Sequence, residues 1–172
     1  MKLFLLLLFI PFVSFSQQFS QKEIDRYKSE AKRVTVIRDN WGVPHIYGKT
    51  DADAVFGLLY AQCEENFYKV EENNLEMMGR LSEVYGESRL YGDLQMKLIY
   101  DTSAAIADYK RSPLWLKRLL DAAADGVNFY LYMHQEVKPL RLNHFEPWFA
   151  LLRTNGSISA TQNGGITTHD MK

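Results

Sequence analysis

The sequence has a single cysteine, and this excludes several ways of stabilising a small protein. Cys63 has no second cysteine in the chain with which to form a disulfide. One thiol also excludes a metal cluster built from several cysteines. Because Cys63 falls on the apolar face of a predicted helix, we expect a buried structural thiol rather than a nucleophile.

The sequence also lacks an excess of charge of either sign. Twenty Lys and Arg residues are balanced by 21 Asp and Glu residues, the net charge is −1, and no basic stripe is present. A nucleic-acid partner is therefore not expected. The four histidines lack the paired helical spacing of a zinc site, and there is no glycine-rich phosphate loop. We assign no metal ligand and no cofactor to this segment.

The chain begins with the three-part pattern of a secretory signal peptide. A basic start is followed by an apolar run over residues 3–13 and by small residues around Ser14 and Ser16. We predict a signal peptide over residues 1–16, with cleavage before Gln17. The alternative is a membrane anchor, but the run is too short to span comfortably. The expected location is periplasmic or secreted, with no membrane association after cleavage.

Two extended runs and a turn predict a β-hairpin. Residues 34–38 alternate and are rich in β-branched side chains, which is typical of a strand. Asp39, Asn40 and Gly42 favour a turn. Residues 43–47 resume an extended run, in which Pro44 indicates an edge or the start of a strand.

A long amphipathic helix is predicted next. Thr50 and Asp53 have the spacing of a capping box, and apolar residues then recur at helical spacing to Val84. Gly86 is the expected stop, and Gly79 is a candidate point of division. The acidic residues of this helix are predicted to lie largely on its other faces (Glu64, Glu65, Glu71 and Glu72).

Shorter helices are predicted on both sides of this region. Ser20 and Glu23 form a capping box for a brief N-terminal helix. A helical tract covers residues 91–111, with Leu94, Leu98 and Ile99 on its apolar face and a break at residues 102–103.

A third helix should follow, with Ser112 as its cap and Pro113 at its first position. Its apolar face includes Trp115, its acidic residues Asp121 and Asp125 lie mainly elsewhere, and it should end at Lys138–Pro139. A loop then enters a short helix that runs through Leu152.

Several motifs in a fixed order resemble the start of the penicillin acylase family. In this sequence they are Arg38-Asp39, Trp41-Gly42-Val43-Pro44-His45-Ile46, Tyr60-Ala61-Gln62 and Gly79-Arg80-Leu81-Ser82-Glu83-Val84-Tyr85-Gly86. Where the family often has Ala-x-Asp-Arg, this chain has Cys63-Glu64-Glu65-Asn66. The family includes acyl-homoserine-lactone acylases. Its members are N-terminal nucleophile hydrolases, made as secreted precursors that cut themselves into an α chain and a β chain.

The resemblance implies a fold and an activity. The fold is α+β, helix-dominated with an N-terminal β-hairpin, and forms part of an αββα sandwich that the β chain completes. The activity is hydrolysis of a linear amide C–N bond, releasing an acyl group from substrates of the antibiotic or acyl-homoserine-lactone type. The implied partners are a β chain from the same precursor and a small acyl-amide substrate.

The resemblance also implies that this segment lacks the nucleophile. In the family, a serine at the start of the β chain attacks the amide, with its own α-amino group as base. Gly156-Ser157 is a lookalike for the cleavage bond, but no strand-rich sequence follows it. We therefore assign no catalytic residue. Residues 17–172 are interpreted as an α-chain-like segment, incomplete and inactive without the β chain.

Two pocket residues are implied by the same comparison. Phe145-Glu146-Pro147-Trp148 matches a family step that precedes the residues lining the acyl pocket, and the family spacing then reaches Ile158 and Gln162. The alternative is that both are ordinary loop residues. The family's α-chain calcium ligand should fall near residues 168–170, where no carboxylate is squarely placed. Calcium in the complete enzyme is therefore implied by resemblance only.

A function from another class stays open. The chain is alternatively a non-catalytic secreted helical module for binding or interaction, or a truncated remnant. The last stretch, residues 154–172, is rich in Gly, Ser, Thr and Asn and has no apolar periodicity. The ordered family motifs favour the amide hydrolase segment over the binding module.

Overall fold

Helices dominate the structure, a computed structural model that describes residues 19–152. An antiparallel hairpin follows the first helix. The elements in chain order are α1 (Gln21–Ala31), β1 (Val34–Arg38), β2 (Pro44–Gly48), α2 (Asp51–Met77), α3 (Ser82–Tyr85), a 3-10 turn (Gly86–Arg89), α4 (Leu90–Ile99), α5 (Thr102–Arg111), α6 (Leu114–Met133) and a C-terminal 3-10 helix (Pro147–Leu152). The predicted helix-dominated fold with an N-terminal hairpin is confirmed.

Both predicted capping boxes are present. The Ser20 hydroxyl accepts a bond from the Glu23 backbone N–H at 3.3 Å, and the Glu23 carboxylate accepts the Ser20 N–H at 2.8 Å. At α2 the Thr50 hydroxyl and the Asp53 carboxylate make the same reciprocal pair. Each box satisfies backbone N–H groups that have no partner inside the helix, so the two helices begin at the residues that the sequence indicates.

The hairpin lies against the first half of α2. Asp39 closes its turn, because one carboxylate oxygen accepts the backbone N–H groups of Trp41 and Val43, both at 2.9 Å. A Cβ atom on Gly57 of α2 would lie 2.6 Å from a methyl carbon of Val34 and 2.8 Å from one of Ile46. Glycine at this position therefore lets the sheet approach the helix closely.

Helix α2 is interrupted at Asn66, which the sequence analysis did not predict. Asn66 has φ −163° and ψ 86°, and its side-chain oxygen accepts the Lys69 backbone N–H at 3.1 Å. Asn66 thus ends the first half of α2 and caps the second half. The break predicted at Gly79 is also present, since Gly79 has φ +62° and follows the end of α2.

The core lies between α2 and α6. Phe67 of α2 stacks on Tyr130 of α6 with ring centroids 5.6 Å apart, and the ring of Phe145 meets Phe67 edge-on. A Cβ atom on Gly126 would lie 2.4 Å from the backbone oxygen of Phe56, so the helices approach closely there. Cys63 is buried in this core, and burial raises the pKa of its thiol to about 12. The predicted structural cysteine is confirmed.

The ends of α6 differ from the prediction. Pro113 occupies the cap position rather than the first helical position, and the Ser112 hydroxyl donates to the Asp108 carbonyl at the end of α5. Ser112 therefore closes the preceding helix instead of opening the next. The helix ends at Met133, short of the predicted Lys138–Pro139, because a turn closed by the Val137 N–H and the His134 carbonyl follows it.

The predicted apolar faces of α4 and α6 are partly exposed. Leu98 is 69% exposed, Leu94 and Ile99 are also exposed, and Trp115 is 64% exposed at the start of α6. The break between α4 and α5 falls at Tyr100 and Asp101, slightly before the predicted position. Helical spacing placed these residues on the apolar faces of the two helices, but their side chains are exposed within residues 19–152.

Candidate functional site

The loop that enters the C-terminal 3-10 helix is held by Glu71 of α2. One Glu71 carboxylate oxygen accepts the Leu140 backbone N–H at 2.8 Å, and the other accepts those of Arg141 and Leu142 at 2.6 and 2.8 Å. The side chain is fully buried. The prediction that Glu71 lies on an outer face is therefore wrong. A carboxylate can be buried there because three N–H donors replace water.

Asn128 of α6 holds the same loop at its other end. Its side-chain nitrogen donates to the Phe145 carbonyl at 2.9 Å, and its side-chain oxygen accepts the Phe145 N–H at 2.8 Å. Asn128 is 1% exposed. The amide thus pairs with both backbone groups of one residue, which fixes the chain just before the C-terminal 3-10 helix.

The Gly-Arg-Leu-x-Glu motif contributes a third brace. The Arg141 guanidinium donates two bonds to the Glu83 carbonyl, at 3.1 and 2.7 Å. The Glu83 carboxylate is itself held by Arg80 at 2.7 and 2.8 Å. This motif therefore has a structural role in the described region, because it ties α3 to the loop at residues 140–146.

A small apolar pocket of about 120 Å³ lies behind this loop. Its walls come from α2, α6 and residues 145–150, and they comprise Leu59, Val70, Asn74, Leu120, Ala123, Ala124, Val127, Phe145, Glu146, Pro147, Phe149 and Ala150. Five of these residues belong to that segment, which begins at the residue that Asn128 holds, so the position of the segment sets the shape of the pocket.

A larger charged cleft of about 810 Å³ lies between α1, α6 and the same loop. The Arg26 guanidinium forms a two-bond fork with the Asp125 carboxylate at 2.6 and 2.7 Å. Asp125 is 2% exposed, so the expectation that it lies off the packed face is wrong. Burial raises the pKa of Asp125, and the Arg26 guanidinium opposes that shift. The fork lets the acid be buried next to the core.

Glu30 is a second perturbed acid in the charged cleft. Burial, followed by the nearby Asp125 carboxylate, raises the pKa of Glu30 to about 7. One of its carboxylate oxygens is buried and has no hydrogen-bond partner among residues 19–152. Glu30 therefore titrates near neutral pH, which makes this side of the cleft sensitive to pH.

Arg38 pairs with α2 rather than with Asp39. Its guanidinium lies 2.9 Å from the Glu64 carboxylate and also pairs with Glu65. These two acids fall in the stretch where the sequence departs from the common family pattern. At this departure from the family pattern, Glu64 and Glu65 therefore form an ion-pair cluster with Arg38, which joins the end of β1 to α2 just before the interruption at Asn66.

The histidines do not form a metal site in the described region. His144 lies 3.0 Å from the Glu23 carboxylate and 3.2 Å from that of Glu146, whereas His45 and His134 have carboxylate neighbours elsewhere in the fold. Among residues 19–152, no group of three or more His, Cys, Asp or Glu side chains could hold a metal ion.

Several predictions fall outside residues 19–152. They concern the signal peptide, the pocket candidates Ile158 and Gln162, and the calcium position at residues 168–170. Within the described region, no helix is long and apolar enough to cross a membrane. The sequence analysis missed Glu71, Asn128 and Asp125 as parts of the site. A polar residue at an apolar helical position was the available signal for Asn128.

The likeness to known proteins covers the elements that build this site. A sequence model of the penicillin amidase family matches residues 33–167, which is most of the chain. The chain belongs to the penicillin amidase family. This confirms the resemblance seen in the motifs between Arg38 and Gly86.

Individual members of the penicillin amidase family show the same likeness. The acyl-homoserine lactone acylase QuiP of Pseudomonas aeruginosa is 31% identical over 144 residues, covering 83% of this chain and 17% of that protein. Penicillin G acylase of Escherichia coli is 22% identical over 104 residues, covering 60% of this chain and 12% of that protein. The matched part of this family member thus spans about an eighth to a sixth of the length of these curated relatives.

A solved structure confirms the fold. Thermostable penicillin G acylase from Alcaligenes faecalis superposes with a TM-score of 0.66 at 18% sequence identity. The match covers 78% of this chain and 76% of that chain, so the two chains are similar in length. The helix-dominated arrangement around the hairpin is therefore a fold that this family member shares with a penicillin G acylase.

Proposed function

We propose that this chain is the N-terminal, α-chain part of a secreted amidohydrolase that releases an acyl group from a linear amide. The observation that carries the proposal is the family match over residues 33–167, which includes the loop and the 3-10 helix leading toward the acyl-pocket candidates. Substrates of the antibiotic or acyl-homoserine-lactone type are proposed because the similar proteins are named for them.

The chemistry is proposed to be completed by a β chain from the same precursor. Its N-terminal serine would attack the amide carbonyl, its α-amino group would take the proton, and backbone donors would stabilise the oxyanion. The described residues supply walls and braces for this chemistry. Cys63, the one thiol of the chain, is buried and has a raised pKa, so it is unsuited to replace the serine.

Exposed apolar residues on the hairpin are evidence that a partner chain binds there. Trp41 is 87% exposed, and Ile37, Val43 and Tyr47 are each more than half exposed. Within the described region the sheet has two strands, so both of its edges are available for pairing. Contiguous exposed apolar residues of this kind mark interaction surfaces, and the β chain is the proposed occupant.

The test is to express the full precursor and to assay acyl release. The coding sequence past codon 172 should continue into a Gly-Ser-Asn step and a strand-rich region. The purified precursor should then yield two chains and hydrolyse N-acyl-homoserine lactones or phenylacetyl amides. In cells, the signal peptide should direct export of the precursor to the periplasm. Residues 17–172 alone should release no acyl group.

One result would instead favour the non-catalytic binding module. A stop after Lys172, with no β chain encoded nearby and a stable monomer in solution, would contradict the hydrolase proposal. Replacement of the new N-terminal serine by alanine is the matched control, because it should abolish both processing and hydrolysis while leaving residues 1–172 unchanged.

A further inference from the structure

The corner between α5 and α6 gathers basic side chains around two apolar ones. The corner comprises residues 110–118, which are Lys110-Arg111-Ser112-Pro113-Leu114-Trp115-Leu116-Lys117-Arg118. A basic pair stands at each end, and no acidic residue lies between the two pairs. The whole chain has a net charge of −1, whereas this short stretch carries four positive charges. Positive charge is therefore concentrated locally, although it is balanced over the chain as a whole.

The apolar side chains at this corner are turned to the surface. Leu114 and Trp115 are the first two residues of α6, and each is 64% exposed. The basic residues of the corner are exposed as well, except Lys117, which is half-buried. Arg118 lies one turn after Leu114 on the same side of α6, because residues four apart are neighbours on a helix. The exposed apolar pair is thus flanked by cations.

Hydrogen bonds fix the shape of the corner. The Ser112 hydroxyl donates to the Asp108 carbonyl at 2.7 Å, and the Lys117 ammonium donates to the Lys110 carbonyl at 2.7 Å. Both carbonyl groups belong to the last turn of α5, where they have no partner inside the helix. The turn that presents the apolar pair is therefore set before any partner binds, which lowers the entropy cost of binding.

The acidic residues nearest in sequence lie outside the corner. Asp108 pairs with Arg111 at the end of α5. Asp121 lies about two turns further along α6 than Leu114 and accepts the Tyr109 O–H at 2.5 Å. The corner itself therefore keeps an excess of positive charge.

An anionic membrane surface matches both parts of this corner. Tryptophan and leucine side chains enter the boundary between lipid headgroups and acyl chains, where tryptophan is enriched. Lysine and arginine side chains next to them can reach the lipid phosphates, and each adds to the attraction. An acidic protein surface would also attract the cations, but lysine is depleted at protein–protein interfaces. The lipid surface is the better fit.

We propose that the α5–α6 corner binds anionic phospholipid headgroups and inserts Leu114 and Trp115 into the membrane surface. Binding of this kind is peripheral and needs no spanning segment, so it qualifies the expectation of no membrane association after cleavage of the signal peptide. The inference goes beyond the proposed hydrolase activity. Vesicle binding requires no acyl-amide substrate, so either proposal can fail without the other.

The experiment measures sedimentation of the complete mature protein with vesicles of phosphatidylcholine, with and without phosphatidylglycerol. We expect binding to the vesicles that contain phosphatidylglycerol, and we expect high salt to weaken it. The double variant Leu114→Ser/Trp115→Ser should lower the partition coefficient about tenfold, because the two apolar side chains that leave water are gone. The control is Met133→Ser, which changes a residue that is 53% exposed at the opposite end of α6 and should have no effect.

A second double variant tests the charges. Lys110→Gln/Arg118→Gln removes two exposed cations from the corner and should also lower the partition coefficient about tenfold. Lys22→Gln/Lys49→Gln removes two exposed cations elsewhere and should change the coefficient by less than about twofold, because distant charges are screened. If the apolar variant does not fold, the charge variant and its control decide the question.

Two results would overturn the inference. If the wild-type protein does not bind vesicles that contain phosphatidylglycerol, the corner is instead assigned to a protein partner, such as the proposed β chain. If binding survives substitution of the corner residues at the wild-type level, another surface of the protein contacts the lipid.

Discussion

Removing Arg26 should destabilise the chain much more than removing its partner Asp125. The two side chains form a fork at 2.6 and 2.7 Å, but they differ in exposure: the Arg26 side chain is 48% exposed and the Asp125 side chain is 3% exposed. Without Arg26, a carboxylate stays buried with no counter-charge. Without Asp125, a guanidinium remains that water can still solvate.

The magnitudes follow from that asymmetry. We expect Arg26→Met to lower the free energy of unfolding by about 3–5 kcal/mol at pH 7, the usual cost of an uncompensated buried charge. Asp125→Asn keeps the shape of the side chain and leaves Arg26 partly hydrated, so its cost should be about 1–2 kcal/mol. Arg118→Met is the control, because Arg118 lines the same cleft but is exposed, and it should change stability by less than about 0.5 kcal/mol.

The pH dependence gives the sharper test. Burial already raises the pKa of Asp125, and loss of Arg26 removes the opposing influence. In Arg26→Met the buried charge is therefore neutralised as the pH falls, and the destabilisation should shrink between pH 7 and pH 4. Urea unfolding followed by tryptophan fluorescence measures both quantities. The reasoning is refuted if Asp125→Asn costs as much as Arg26→Met at pH 7, or if the Arg26→Met penalty does not decrease at low pH.

Three further predictions test other parts of the fold. The pKa of Glu30 is raised to about 7, so ionisation of its carboxyl lowers the free energy of unfolding as the pH rises from about 4.5 through 7. In urea unfolding, Glu30→Gln should raise the free energy of unfolding by about 1–2 kcal/mol at pH 8 and by almost nothing at pH 5. An equal increase at both pH values would contradict the raised pKa. Cys63 is buried, and its thiol pKa is raised to about 12. A thiol reagent should therefore label the native chain only as fast as the folded chain opens locally to expose Cys63, and it should label one thiol per chain in urea. Rapid labelling of the native chain would contradict this burial. Gly126→Ala should lower the free energy of unfolding by about 2–3 kcal/mol in thermal unfolding, because its Cβ would lie 2.4 Å from the Phe56 backbone oxygen. The matched control is Gly92→Ala, whose Cβ would have nothing within 4 Å, and it should raise the free energy of unfolding by about 0.5 kcal/mol. Similar effects in the two glycine variants would show that the approach of α2 and α6 is less tight than described.

Local signals were sufficient for several elements. The capping residues of α1 and α2 lie within three positions of the backbone groups they satisfy, so the sequence shows both partners at once. The hairpin was equally predictable, because Asp39 and Gly42 close the turn through neighbouring residues. The family motifs were also visible in the sequence as an ordered set, and the family match confirmed them.

Sequence patterns failed to predict the structure where a residue's partner lies far away in the chain, or where a residue could serve either of two neighbouring helices. Ser112 lies between α5 and α6 and can serve either helix; in the structure its hydroxyl donates to the Asp108 carbonyl and closes α5. The interruption at Asn66 falls within a continuous helical pattern, which conceals it. Leu94 and Leu98 have helical spacing, but spacing does not show whether any element covers the face that they form.

The family, the starts of α1 and α2 and the hairpin could be predicted from the sequence, because they depend on contacts within a few residues or on motifs in a fixed order. Only the tertiary structure decided which acidic residues are buried. Glu71 finds its N–H donors about 70 residues further along the chain, and Asp125 finds Arg26 at a separation of 99 residues. A carboxylate is normally excluded from a protein interior by its hydration, and whether it is admitted depends on donors that only the folded chain brings to it.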